Sequence, residues 1–188
     1  VDELEYGLEP HRIIRVLDSL GAKEKNPPLQ VFVTTHSPVA VRELSGSQLY
    51  VVRKCPTHHE IRCVGTDDDI QGTIRLYPEA FLASGVIVCE GASEVGLIRG
   101  LDQFRVQKNV SIAAIGIALV DGGCVSKVLG RALAFQSLGY RTAVLRDDDA
   151  HPDPHEEGNF HKNGGKSFVW RKGNALEDEI FEAFAATS

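Results

Sequence analysis

From Gly85 onward, short apolar runs alternate with segments whose apolar residues recur every three or four positions, the pattern of strands and helices laid down in turn. Val86-Ile87-Val88-Cys89 is an unbroken apolar run and predicts a buried strand; Ala92 to Phe104, with Leu97, Ile98 and Leu101, predicts a helix. Gly116 to Val120 reads as the next strand, Ser126 to Leu138 as a helix and Arg141 to Leu145 as a third strand. Residues 150–166 are rich in Pro, Gly and His and read as a polar loop. Ser167 to Trp170 follows as a short strand, and Ala175 to Phe184 as a helix carrying Leu176, Ile180 and Phe184 on one face. Strand–helix alternation of this kind builds a parallel sheet with helices on its faces, so the predicted class is α/β.

The preceding residues repeat the theme less regularly. Pro10 opens a helical pattern through Ile13, Ile14, Val16, Leu17 and Leu20 that Gly21 ends. Gln30 to Thr34 reads as a strand that delivers His36, and Ser37-Pro38 as the start of a short helix. Gln48 to Arg53 and His59 to Val64 suggest a hairpin. Asp67 to Tyr77 is polar and turn-rich, and Pro78 to Ala83 a short helix. The boundaries expected from these changes are residues 1–65, a linker over 66–84, and a second domain over 85–188.

The strand ends carry the chemistry. The first strand of the second region runs into Glu90-Gly91, with Glu94 one helical turn further on and facing the same way. The strand at 141–145 runs into Asp147-Asp148-Asp149, where Asp147 and Asp149 alternate to one side and Asp148 to the other. Asp121 ends the strand between them in sequence, before Gly122-Gly123. A single acidic strand–helix junction is ordinarily an N-cap or a solvated turn. Carboxylates gathered from neighbouring parallel strands instead repel one another unless cations sit among them, and hard oxygen donors select Mg²⁺ or Mn²⁺. Open α/β sheets bind their ligands at this carboxyl end.

Composition narrows the partners. A formal net charge of −6 leaves no broad basic face, so contact with nucleic acid would come from local cations and bound metal. Arg146, Lys166, Arg171 and Lys172 are the candidates, with Lys166 the expected catalytic cation. The four cysteines have no disulfide-framework spacing, and no signal peptide or long apolar run occurs. The expectation is a cytoplasmic protein with no membrane segment. The chain contains no Met and opens on Val1-Asp2, which suggests a fragment of a longer protein. Cys55/His58/His59/Cys63 sits in a hairpin without a C-x-x-C core and His151/His155/His161 in a loop with two prolines, so ordinary hairpin and loop residues are the favoured reading over zinc.

Val88-Cys89-Glu90-Gly91-Ala92-Ser93-Glu94 with Leu145-Arg146-Asp147-Asp148-Asp149 resembles the Toprim signature of topoisomerases, bacterial primases and OLD (overcoming lysogenization defect) nucleases. Val1-Asp2-Glu3-Leu4-Glu5 with Gly7-Leu8-Glu9-Pro10 is similar to the Walker B and D-loop of ABC-type ATPases, and Thr34-Thr35-His36-Ser37-Pro38 to their switch-histidine loop. An ATPase tail leading into a Toprim domain is the OLD layout, most like the helicase-associated class 2. The resemblance implies a Toprim-type Rossmann-like sheet flanked by helices and preceded by a partial ABC-ATPase α/β segment. It also implies a Mg²⁺- or Mn²⁺-dependent DNA endonuclease using two ions. Glu90, Glu94, Asp121, Asp147, Asp149 and Glu177 would be the metal ligands, and Glu90, Glu94, Asp147, Asp149 and Lys166 the catalytic set. Asp2, Glu3 and His36 would belong to an incomplete nucleotide site. ATP would be used only by the full-length protein, because no G-x-x-x-x-G-K-[ST] loop is present. DNA, a superfamily helicase, a homodimeric full-length form and phage defence complete what the resemblance implies. The alternatives are a metal-silent regulatory or DNA-binding Toprim module, and a primase- or topoisomerase-type piece, the latter requiring a nucleophilic tyrosine.

Overall fold

A computed structural model describes residues 1–106, 111–148 and 151–185. The chain divides into two compact units, Val1–Leu82 and Ala83–Ser188.

In the first unit, helix α1 (Pro10–Ser19) starts at a proline, whose fixed φ suits the first helical turn. It buries Ile13 and Leu17 against Leu4 and Ala40, the last from helix α2 (Pro38–Glu43). Strands β1 (Tyr50–Lys54) and β2 (His59–Cys63) form an isolated antiparallel hairpin with Lys54 opposite His59. Two expectations fail here. Residues 30–34 are not a strand: they make single hydrogen bonds to the opening residues, such as Thr34 N–H to Val1 O at 3.0 Å or less (2.9 Å), but no ladder, and Phe32 is 78% exposed. Residues 67–77 are not turn-rich linker but helix α3 (Asp68–Leu76). The Asp67 carboxylate caps it by accepting Asp69 N–H, Asp68 and Asp69 favour its positive end, and Ile70, Thr73 and Ile74 are buried. A 3₁₀ turn, Pro78–Leu82, closes the unit.

The second unit is the expected α/β layer. Strands β3 (Gly85–Cys89), β4 (Ile117–Asp121), β5 (Arg141–Arg146) and β6 (Lys166–Val169) form one parallel sheet in the order β4-β3-β5-β6. β3 lies between two partners and has buried residues on both faces, which is why it reads as an unbroken apolar run rather than an alternating one. The crossovers are helices α4 (Ala92–Val106), α5 (Val125–Ser137) and α6 (Pro154–Lys162). Val128, Leu129, Ala132 and Phe135 of α5 are buried, and α5 packs on β3 and β5. Helix α7 (Leu176–Ala185) ends the described chain. Helix α6 replaces much of the polar loop expected over 150–166. Asp153 accepts His155 N–H and Glu156 N–H, Pro154 begins the helix, and Phe160 is fully buried.

Candidate functional site

Parallel register brings the acidic strand ends together. Cys89, the last residue of β3, is opposite Asp121 on β4 and Leu145 on β5, so Glu90, Asp121 and Asp147 all leave the sheet at its carboxyl end. Glu90 N–H donates to Leu145 O at 2.8 Å, and Glu90 Oε2 accepts Asp147 N–H at 3.0 Å. The carboxylate therefore spans from the end of β3 to the chain beyond β5. Glu94, in the first turn of α4, is 4% exposed, and its Oε2 accepts Gly91 N–H at 2.8 Å. Asp121 Oδ1 accepts Gly123 N–H at 2.7 Å, closing a tight turn before α5. In each case a backbone N–H holds one carboxylate oxygen, the kind of support that orients ligating carboxylates.

Two glycines act differently from one another. Gly122 donates to Cys89 O at 2.7 Å, and a Cβ at this position would meet that oxygen at 2.8 Å and the Val128 backbone at 3.1 Å. Only glycine lets the β4–α5 turn lie this close to β3. Gly91, at the strand–helix junction, does not adopt a left-handed conformation; a Cβ there would press on Glu94 Oε2 at 3.3 Å.

The field at this end is negative. Burial pushes the Cys89 thiol up to about 12, the Glu94 and Asp121 carboxylates add to the rise, and Arg99 opposes it. Arginines at the same end grip main chain: Arg131 Nη1 donates to Asp121 O, and Arg146 Nη1 to Asp147 O at 2.9 Å. Arg146 is 5% exposed and also pairs with Glu157 Oε1 at 3.3 Å, a contact that the sequence pattern does not signal because Glu157 belongs to the unexpected helix α6. Asp148 is held by the loop before α7, its Oδ2 accepting Gly173 N–H at 2.9 Å while its N–H donates to Asn174 O.

The remaining site residues separate into those near this end and those elsewhere. Asp149 lies outside the described residues. Glu177 is exposed in the first turn of α7, just after the Gly173–Asn174 loop that Asp148 holds. Lys166 is not brought to the carboxylates. It begins β6 opposite Ala143, and because β6 runs parallel to β5 its backbone is at the amino-terminal side, four residues upstream of Asp147 in register. Trp170 packs against Cys89, Val95 and Leu145 as core. Tyr140, before β5, is buried edge-on against Phe135 with ring centroids 5.5 Å apart, away from the acidic end.

In the first unit, Asp2, Glu3 and His36 lie on two hydrogen-bonded segments. Thr34 Oγ1 donates to Asp2 Oδ1 and accepts Glu3 N–H at 2.8 Å. Glu3 has φ 45°, uncommon for a residue with a Cβ. Glu5, not selected from the sequence, is the better-anchored acid: it accepts Thr35 Oγ1–H and His36 N–H, each at 2.6 Å. Burial raises its carboxyl, but these hydrogen bonds outweigh it and leave it below the usual range.

Among the described residues, the one trio of His, Cys or carboxylate atoms within 4.8 Å of each other is Cys55, His58 and Glu60. The acidic strand ends share an edge without closing to that degree, as expected of like charges.

A parallel α/β sheet whose neighbouring strands end in Glu and Asp is a Toprim-type arrangement. Residues 81–149 match the family model described as "Overcoming lysogenization defect protein-like, TOPRIM domain", and this span contains β3, β4, β5, Glu90, Glu94, Asp121 and Asp147. Over this stretch the chain is therefore similar to an OLD-like Toprim domain. No curated protein matches the chain. Among the described residues no helix is long and apolar enough to cross a membrane.

Proposed function

We propose that the second unit is the catalytic region of a metal-dependent DNA endonuclease that hydrolyses phosphodiester bonds. The observation that carries the reading is the hydrogen bond from Asp147 N–H to Glu90 Oε2, which ties together the acidic ends of two adjacent parallel strands, with Asp121 on the third. The donor set is oxygen-only and anionic, which fits Mg²⁺ or Mn²⁺. Glu90, Glu94, Asp121 and Asp147 would hold the ions, with Asp149 completing the set. Bound divalent ions supply Lewis-acid stabilisation of the phosphate and a hydroxide-like nucleophile at neutral pH. The chain's own part is positional. Backbone N–H groups of Gly91, Gly123 and Asp147 aim the carboxylates, and Arg131 and Arg146 fix the main chain on which Asp121 and Asp147 sit.

A topoisomerase reading has less support, since Tyr140, the tyrosine that lies close to an acidic strand end in sequence, is buried at the opposite end of β5. If the chain is part of a longer protein, the segment with Asp2, Glu3 and His36 would complete an ABC-type ATPase. Regulation by ATP, a homodimer, a helicase partner and phage defence follow as parts of the same proposal. The test is nicking of supercoiled plasmid with Mn²⁺ or Mg²⁺. Glu90→Ala and Asp147→Ala are each expected to lower the rate at least about a hundredfold, the scale of losing a group that stabilises transition-state charge. Nicking unaffected by both substitutions overturns the proposal.

A further inference from the structure

The β1–β2 hairpin presents a second donor set of different chemistry. The two-residue connection Pro56–Thr57 places Cys55 directly opposite His58, with Cys55 N–H donating to His58 O at 2.8 Å. Side chains alternate across a strand, so cross-strand partners share a face. Cys55, His58 and Glu60 therefore project on one side, whereas His59, opposite Lys54, and Cys63, opposite Tyr50, project on the other. A grouping based only on residue type, Cys55/His58/His59/Cys63, mixes the two faces. The structure collects Cys55, His58 and Glu60, one donor atom each, all within 4.8 Å of one another.

The surrounding contacts orient these atoms. Thr57 Oγ1 lies 3.2 Å from His58 Nδ1, which leaves Nε2 pointing to Glu60 Oε1 at 3.8 Å. The other oxygen, Glu60 Oε2, is held by Arg62 Nη2 at 2.6 Å. A ligating imidazole with its second nitrogen hydrogen-bonded, and a ligating carboxylate with its second oxygen hydrogen-bonded, are what metal sites use to set ligand direction. Tetrahedral zinc, with bonds near 2.3 Å to sulfur and 2.0–2.2 Å to nitrogen or oxygen, requires ligand atoms about 3.3–3.6 Å apart. The His58–Glu60 pair, at 3.8 Å, is already close to that spacing, and Cys55 Sγ lies within 4.8 Å of both atoms.

We propose that the hairpin tip is a Zn²⁺ site in which Cys55 Sγ, His58 Nε2 and Glu60 Oε1 are the protein ligands and the fourth position is open. A thiolate and an imidazole favour zinc and exclude Mg²⁺, so this site differs in kind from the oxygen-only strand ends. An isolated two-stranded hairpin is marginally stable by itself. The ion would clip its closed end.

The test uses the full chain and the metal alone. Co²⁺ substitution is expected to give a thiolate-to-cobalt charge-transfer band in the near ultraviolet at one equivalent, displaced by Zn²⁺. Cys55→Ser removes the band and weakens Zn²⁺ binding at least about tenfold, and His58→Ala weakens binding to a similar extent. Cys63→Ser, on the other face, leaves both unchanged. Absence of the band in the intact chain overturns the proposal, and so does a band that survives Cys55→Ser or is lost in Cys63→Ser. Carboxylate-bound cobalt gives no such band, so the outcome is independent of whether the acidic strand ends bind metal.

Discussion

Gly122→Ala perturbs the acidic end without touching a carboxylate. The added Cβ would lie 2.8 Å from Cys89 O and 3.1 Å from Val128 Cα and Cβ. The first and second of these atoms are backbone, in the central strand and in a packed helix, so no flexible side chain can swing aside. Either the β4–α5 turn lifts and stretches the 2.7 Å bond from Gly122 N–H to Cys89 O, or α5 moves off the sheet. Overpacking of this kind costs about 1–3 kcal/mol, and a weakened buried hydrogen bond adds up to about 1 kcal/mol. The loss of glycine's freedom in the unfolded chain returns about 0.4–1 kcal/mol. The net expectation is a loss of about 2 kcal/mol, which for a chain of this size lowers the melting temperature by about 4–8 °C. The comparison is Gly130→Ala in the interior of α5, an exposed position with nothing within 4 Å of the added Cβ. It is expected to stabilise by about 0.5–1 kcal/mol through helix propensity. Both variants are read by thermal unfolding followed by circular dichroism. A Gly122→Ala protein that melts with the parent, or above it, refutes the close approach on which the reasoning rests.

Arg146→Ala removes a guanidinium that joins Asp147 O to Glu157 Oε1; because Glu157 remains 26% exposed, the expected cost is about 2–3 kcal/mol rather than the full penalty of a buried pair, measured by urea unfolding. The cysteines should separate by reactivity. Cys89 is buried with its thiol pushed up to about 12, so it stays protonated at pH 8, whereas Cys124 is exposed and its thiol is lowered by the Ser126 hydroxyl and neighbouring N–H groups. Peptide mapping after brief alkylation at pH 8 is expected to find Cys124 modified and Cys89 intact; equal labelling of both in the folded chain contradicts the packing around β3.

The second unit was readable because its inner strand β3 is buried on both faces. Val86 to Cys89 could not be solvent-facing, and the acids after each run had to leave the same end once the strands were known to be parallel. Patterns that depend on a partner were less visible. Gln30 to Thr34 has strand composition, but strands exist only through ladders, and no ladder forms there. Asp67-Asp68-Asp69 looked like a turn, although an N-cap and an acidic first turn have the same composition; Ile70 and Ile74, four apart, were the usable signal. Asp153-Pro154 was likewise a helix start hidden in a polar stretch, and Phe160 was its buried anchor. Lys166 was selected by charge near the end of the chain, and only the register of β6 on β5 shows that its backbone is at the far side of the strand. In the hairpin, residue type without alternation grouped the wrong four side chains.

The strand order has a further consequence. Glu90, Asp121 and Asp147 belong to strands separated by whole crossover helices, so nothing local in sequence brings them near one another. Their mutual repulsion is felt only after the non-local pairings of β3 with β4 and β5 have formed, late in assembly. An unfolded chain offers scattered carboxylates; the native one offers a concentrated charge. Any cation preferring the latter must raise folding stability, by an amount that grows with the logarithm of its concentration once it exceeds the dissociation constant.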